Sequence, residues 1–248
     1  MKSITLKNIT HTYGKHTVLH DVTLSLPIGK MIAICGPSGC GKTTLLNIIG
    51  LLERPSRGSV QYDEMEVCAN SSRAVKKLRY TIGFLFQNYG LSDNDTVLWN
   101  MMSAMEYVKT GKEEKKKCIA QVLEKVGLYG IEQQKICQLS GGEQQRVALA
   151  KLMVKPCELI LADEPTGNLD SKTTMEVLRL MQRIVREQQQ TLVMVTHDNH
   201  LASYADRRIR IVDGKITGIE TGGRSALEET DKTAPEAQQP AQMEDITV

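Results

Sequence analysis

Apolar and polar residues alternate near the amino terminus, and the alternation stops at Met31. Ser3–Ile9 carries Ile4 and Leu6 in period two, and Val18–Leu26 carries Val22, Leu24 and Leu26 in the same way. Both predict strands with one buried face, joined by a His11-Thr12-Tyr13-Gly14-Lys15 turn. Met31-Ile32-Ala33-Ile34-Cys35 is apolar at every position, the pattern of a strand covered on both faces in a parallel sheet. A glycine-rich loop follows, then a helix from about Lys42 to Leu52, stopped at Arg54-Pro55. Residues 58–62 and 82–86 predict short strands, with a charged helical stretch at Ser72–Arg79 between them. From Thr96 to Val126 the pattern is helical and polar, with Lys112–Lys117 on an exposed face. A second series begins near Gly141. It comprises a helix to Val154, a strand at Glu158–Ala162, a helix at Ser171–Gln188 and a strand at Thr191–Thr196. Strands at Arg207–Val212 and Lys215–Glu220 then flank an Asp213-Gly214 turn. Alternating strands and helices predict an α/β fold built on a parallel sheet, with a helical insertion near residues 90–140.

Composition narrows this only slightly. The 248 residues are 41% hydrophobic and 24% charged, enough for a sizeable core. No apolar run approaches the roughly 18 residues of a membrane helix, and Met1–Lys7 has no secretory pattern. The net charge of +2 is too small to argue for nucleic acid, and none is expected. Charge is unevenly placed, however. Residues 222–248 hold six acidic and two basic residues and no aromatic one, and read as a disordered acidic tail. The six cysteines show no C-x-x-C spacing and read as reduced thiols of a cytosolic protein.

Gly36-Pro37-Ser38-Gly39-Cys40-Gly41-Lys42-Thr43 fits G-x-x-x-x-G-K-[ST], between a buried strand and a helix. Glycines let the backbone wrap a phosphate so that its N–H groups point inward, and the helix start adds a favourable dipole. Residues 36–44, Thr44 included, form the expected cradle for ATP. Lys42 should reach the β- and γ-phosphates, and the Thr43 hydroxyl should ligate Mg2+. Leu159-Ile160-Leu161-Ala162-Asp163-Glu164 completes the reading. An apolar strand ending in an acid places Asp163 at the carboxyl edge of the sheet, where it can hold Mg2+, and Glu164 follows as the base for an attacking water. Cys40, inside the cradle, is either a small residue that fits or a reactive thiol. His11, His16, His20 and His200 have no supporting motif and read as structural.

Leu139-Ser140-Gly141-Gly142-Glu143-Gln144-Gln145-Arg146 then resembles the signature of ABC (ATP-binding cassette) transporter nucleotide-binding subunits. The resemblance covers roughly residues 1–220. It implies a P-loop NTPase core with a parallel sheet, an N-terminal antiparallel β subdomain and a helical signature subdomain at about 90–155, the cassette as a whole spanning 1–221. It implies that Ser140, Gly141 and Gly142 contact the γ-phosphate of ATP on an opposite subunit, so that a homodimer holds two ATP molecules. By the same resemblance Tyr13 stacks on adenine, and Gln87 touches Mg2+ and water and faces an integral membrane permease. Asn168-Leu169-Asp170 forms the loop at the dimer interface, and His197 binds the γ-phosphate. Catalysis is thereby assigned to Glu164, His197, Gln87 and Lys42.

A single phosphate loop argues against translation-type cassettes, and the short insertion without heptads argues against repair-type ones. Phe84-Leu85-Phe86-Gln87 and Pro165–Asp170 resemble the branch of macrolide exporters, lipoprotein-releasing ATPases, antimicrobial-peptide resistance ATPases and the division-associated cassette. Gln87–Leu91 and Asp95-Thr96-Val97 resemble bacteriocin-export ATPases within it. The expected function is ATP hydrolysis driving a separate permease from the cytoplasmic face of a membrane, with export of an antimicrobial peptide or similar amphiphile. The alternative is a cassette driving a signalling or division complex. Trp99 stands where many members carry an acid, and is expected to anchor in the permease contact.

Overall fold

The computed structural model describes residues 1–67, 76, 78, 80–106, 108–155, 157–167 and 169–227. Four strands form an antiparallel sheet in the order β2-β1-β4-β5: β1 Ile4–Tyr13, β2 His16–Leu26, β4 Arg57–Tyr62 and β5 Met65–Val67. Six form the central sheet in the order β10-β9-β3-β8-β7-β6: β3 Met31–Cys35, β6 Ile82–Leu85, β7 Leu159–Asp163, β8 Thr191–Thr196, β9 Arg207–Val212 and β10 Lys215–Thr221. The five strands from β9 to β6 are parallel, and β10 returns antiparallel on the edge through the Asp213-Gly214 turn.

The continuous apolar runs follow from two cores lying on opposite faces of the central sheet. Met31, Ala33 and Cys35 of β3, Ile160 and Ala162 of β7, and Leu192 and Met194 of β8 enter one core. Their neighbours Ile32, Ile34, Leu159, Leu161, Val193 and Val195 enter the other. Alternate residues serve opposite cores, so the central positions of these strands are all apolar and polar residues come only at the ends, at Asp163, Thr191 and Thr196. The second core is closed by α1 (Lys42–Ile49) and the antiparallel sheet, and the first by the helices that follow.

The helical region departs from a single stretch at Thr96–Val126. It is two helices, α2 (Val97–Ala104) and α3 (Lys112–Lys125). Thr96 caps α2 by accepting from the Trp99 N–H. Helix α3 starts afresh at Gly111, with Glu113 and Glu114 in its first turn and Lys125 in its last, as the helix dipole favours. Helix α4 (Gly141–Met153) and helix α5 (Ser171–Gln188) complete the first core, and a short α6 (Asn199–Ala202) follows β8. Strand β1 runs on to Tyr13 rather than ending at Ile9, pairing Tyr13 with His16 across the Gly14-Lys15 turn. Of the helical stretch expected at Ser72–Arg79, only Lys76 and Leu78 are described, both helical.

The first residues of the tail expected from Gly222 are part of the folded body. Residues 222–226 are fastened to the body by specific bonds. The Gly222 N–H donates to the Asp206 carbonyl and the Arg224 N–H to that of Ser203. Gln182 of α5 is buried and donates to the carbonyls of Tyr204 and Arg224 while accepting from the Ala226 N–H. Arg179 holds the Ala226 carbonyl, and Ala226 is fully buried. The low hydrophobicity of the segment hid this, because the partner is a buried amide on a distant helix. The rest of that expectation, residues 228–248, lies outside the described residues. Among the described residues no helix is long and apolar enough to cross a membrane.

Candidate active site

The phosphate loop, Asp163-Glu164 and His197 all follow the carboxyl ends of adjacent parallel strands, β3, β7 and β8, where open α/β sheets bind ligands. Glycine is required in the loop for space as well as conformation. A Cβ on Gly36 would stand 2.0 Å from the Ile211 carbonyl oxygen, and one on Gly41, at φ +97°, would stand 2.9 Å from that of Val18. Gly41 precedes α1 without a side-chain cap, which leaves the helix-start N–H groups free for an anion.

Lys42 is buried, and its ammonium donates to the carbonyls of Gly36 at 2.9 Å and Pro37 at 2.7 Å. The cation is folded into the concavity it is expected to serve. The Cys40 Sγ lies 4.0 Å from Lys42 Nζ and fills the loop beneath Gly36. Thr43 Oγ1 donates to Asp163 Oδ1 at 3.2 Å, bringing together two hard oxygen ligands of the kind Mg2+ takes. Burial raises the Asp163 pKa, with the Thr43 bond opposing it and the Glu164 charge adding to it. A divalent cation at these oxygens would reverse that balance. Among the described residues no group of three acidic, histidine or cysteine side chains is placed to hold a metal ion by itself, so Mg2+ here would need Thr43, Asp163 and Gln87 together with water and phosphate.

Glu164 adopts φ +46°, a left-handed conformation that costs a side-chain-bearing residue about 1 kcal/mol or more. Its N–H is held by the Val195 carbonyl at 3.0 Å, and its own carbonyl accepts from the Gly167 N–H at 3.1 Å. The carboxylate Oε1 lies 3.1 Å from His197 Nδ1. Both side chains line a cavity of about 410 Å³ with Thr166, Leu169, Ser171 and His200. His197 also borders a second cavity of about 320 Å³ with Gly36, Pro37 and Asn199, so it stands between the base and the phosphate loop.

Tyr13 is half exposed at the end of β1. Its hydroxyl donates to Glu53 Oε2 at 2.7 Å and its ring lies edge-on to His11. Burial, with the Glu53 bond, raises the phenol pKa. The open ring face is the kind of surface on which a base stacks. Gln87 is exposed after β6.

No phosphate-loop atom is among the nearest neighbours of Gly141 or Gly142. Their near neighbours are Tyr89, Leu169 and Thr173. Ser140 is the N-cap of α4: its N–H and hydroxyl both donate to Glu143 Oε2, at 2.8 and 2.7 Å, which lowers the Glu143 pKa. Asp170 is the N-cap of α5, accepting from the N–H groups of Lys172 and Thr173 and from the Thr173 hydroxyl at 2.6 Å. Its oxygens thus fix the start of α5 within the chain. Asn168, assigned to the same loop, lies outside the described residues.

Sequence reasoning missed Glu53, which ties Tyr13 and places Oε1 3.1 Å from His11 Nε2. No local signal marks it. It also left Asn100 unexplained beside Trp99. Asn100 is buried, donates to the carbonyls of Ser92 and Thr96 and accepts from the Ser92 N–H, whereas Trp99 is 54% exposed.

The sequence of residues 19–167 matches the family described as ABC transporter. The chain belongs to that family. It is 40% identical over 237 residues to the macrolide export ATP-binding/permease protein MacB of Escherichia coli, covering 94% of this chain and 36% of MacB. It therefore spans about a third of that relative. It is 43% identical over 204 residues to the lipoprotein-releasing system ATP-binding protein LolD 1 of Rhodopseudomonas palustris, covering 81% of this chain and 90% of LolD 1. The fold superposes with a TM-score of 0.79 on the dimeric post-hydrolysis structure of the ATP-binding cassette MJ0796 with ADP and Pi, at 36% identity and covering 88% of this chain and 98% of that one. The fold class expected from the sequence, an α/β P-loop core with an antiparallel β subdomain and a helical subdomain, is thus found.

Proposed function

We propose that two copies of this chain close on two ATP molecules and drive a separate membrane permease that exports or extracts an amphiphile, with a bacteriocin-like peptide as the favoured cargo. The observation that carries the dimeric reading is that the Gly141-Gly142 helix start packs against Tyr89, Leu169 and Thr173, with no phosphate-loop atom among its nearest neighbours. A helix N-terminus with adjacent glycines is a phosphate site, and a second subunit supplies the phosphate that the same chain does not. Similarity to a dimeric cassette supports it. MacB and LolD 1, named for macrolide export and lipoprotein release, support a membrane-linked role at the cytoplasmic face.

In this reading Glu164 takes the proton of a water attacking the γ-phosphorus, and His197 orients the carboxylate through the 3.1 Å contact. Lys42 leaves the carbonyls of Gly36 and Pro37 to hold the charge on the transferring phosphoryl group. Thr43 and Asp163 would hold Mg2+, which supplies charge neutralisation at the phosphates. Closing follows from phosphate contacts made only in the dimer, a ligand-driven population shift. Exposed Phe86, beside Gln87, and exposed Trp99 on α2 offer apolar surface for the permease.

Affinity purification of the tagged chain from detergent-solubilised native membranes tests the assignment. A permease with few membrane spans and a large extracytoplasmic domain is the expected partner. A cell-wall-hydrolase regulator would instead support the signalling alternative, and recovery with ribosomes or DNA alone would overturn both.

A further inference from the structure

Two residues beyond Gln87, the chain makes a turn that its sequence does not favour. Tyr89 at φ +63° and Gly90 at φ +61° are consecutive left-handed residues. Glycine takes that conformation freely, whereas a bulky aromatic residue does not. The turn is fixed by the Tyr89 N–H donating to the Phe86 carbonyl at 2.9 Å and the Gly90 N–H to that of Asn88 at 2.8 Å. It is also fixed from α4, where Lys151 Nζ donates to the Gly90 carbonyl at 3.1 Å. Helical side chains lean toward the N-terminus, so Lys151 near the end of α4 reaches back to the turn while Tyr89 reaches on toward the helix start. The phenol arrives at Gly141: a Cβ placed there would meet Tyr89 Oη at 3.1 Å and Leu169 Cδ2 at 3.7 Å. The strained turn thus delivers one rigid ring to the first residue of the Ser140–Gly142 helix start.

We propose that Tyr89 is a positioning residue for the Ser140–Gly142 phosphate site, its ring setting where the start of α4 stands against Leu169 while Lys151 anchors the turn that carries it. This rests on the reading of Ser140–Gly142 as the site for the partner's ATP. In this proposal Tyr89 contacts neither nucleotide nor reacting atoms. It acts through Gly141, and by its place in the chain it connects that site to Gln87. Residues that share one contact are energetically coupled, which makes the pair separable by double mutation.

The test uses the full chain carrying Glu164→Gln, with the ATP concentration for half-maximal dimerisation as the readout. Gly141→Ala places a methyl against the hydroxyl and is expected to raise that concentration about tenfold, within the usual range for coupled neighbours. Tyr89→Phe removes the hydroxyl but keeps the ring, and is expected to change it by no more than about twofold; added to Gly141→Ala it should restore the midpoint to within about threefold. Tyr89→Ala should raise the midpoint while leaving the affinity of the monomer for a fluorescent ATP analogue unchanged, a split that mere loss of fold would not give. Failure of Tyr89→Phe to relieve Gly141→Ala would overturn the proposal. If the Glu164→Gln chain with Tyr89 and Gly141 intact never dimerises at saturating ATP, the dimeric function itself falls and this inference with it.

Discussion

Glu164 and His197 come from the ends of adjacent strands and meet at 3.1 Å, carboxylate Oε1 to ring Nδ1, in the cavity they line together with Thr166, Leu169 and Ser171. The pair is held from the backbone upward. Glu164 is fixed in a left-handed conformation by the Val195 carbonyl, a residue two positions before His197. A change at either side chain therefore leaves the other's backbone in place, and its effects should be confined to chemistry.

Glu164→Gln keeps the shape and removes the base. Phosphate release in single turnover should fall about 10²–10⁴-fold. Size-exclusion chromatography with ATP and Mg2+ should then show an accumulated dimer. Only monomer under those conditions would count against Glu164 as the base of a dimeric site.

Lys42→Ala should lower the hydrolysis rate by at least about 10²–10³-fold through loss of charge at the phosphoryl group. Circular dichroism should be unchanged, because the carbonyls of Gly36 and Pro37 that Lys42 now occupies can turn to water. Steady-state phosphate release checks this directly.

Buried Gln182 has its donor and acceptor satisfied by Tyr204, Arg224 and Ala226. Gln182→Leu leaves the Ala226 N–H without its partner and should destabilise the chain by about 1–3 kcal/mol. A truncation after Thr221 should lower stability in the same direction. Urea denaturation of the three proteins measures both, and a truncated chain as stable as the full one would show that the docked segment contributes nothing.

Asp170 has its pKa lowered, first by the Thr173 hydroxyl and then by the Thr173 and Lys172 N–H groups. A depressed folded pKa means the cap contributes stability above the ordinary aspartate value of about 3.9, and loses it as pH falls through the lower folded value. The difference in melting temperature between the native chain and Asp170→Ala should be constant from pH 7 to about 5 and narrow below about 4. A difference that instead narrows near neutral pH would assign it to some other group.

The strands buried on both faces were legible because each requires an unbroken apolar run, and helix Ser171–Gln188 because Asp170 precedes it and its apolar positions recur at helical spacing. The phosphate loop and the acids after β7 were legible because their chemistry fixes both residue type and spacing. The break between α2 and α3 was hidden in a polar stretch where both sides favour helix. The docking of residues 222–226 was hidden for a different reason, since it depends on a buried glutamine more than thirty residues away. The Tyr89–Gly141 approach likewise arises from a backbone conformation that sequence pattern does not report.

The central claim is that hydrolysis needs the phosphate loop of one chain and the Ser140–Gly142 helix start of another. Phosphate release measured against protein concentration, for the native chain and for Ser140→Ala, tests it most directly. Specific activity should rise with concentration in the native chain and be strongly reduced in Ser140→Ala while monomer ATP binding is retained. Activity strictly proportional to concentration, and indifferent to Ser140→Ala, would show that one chain suffices and would contradict the account.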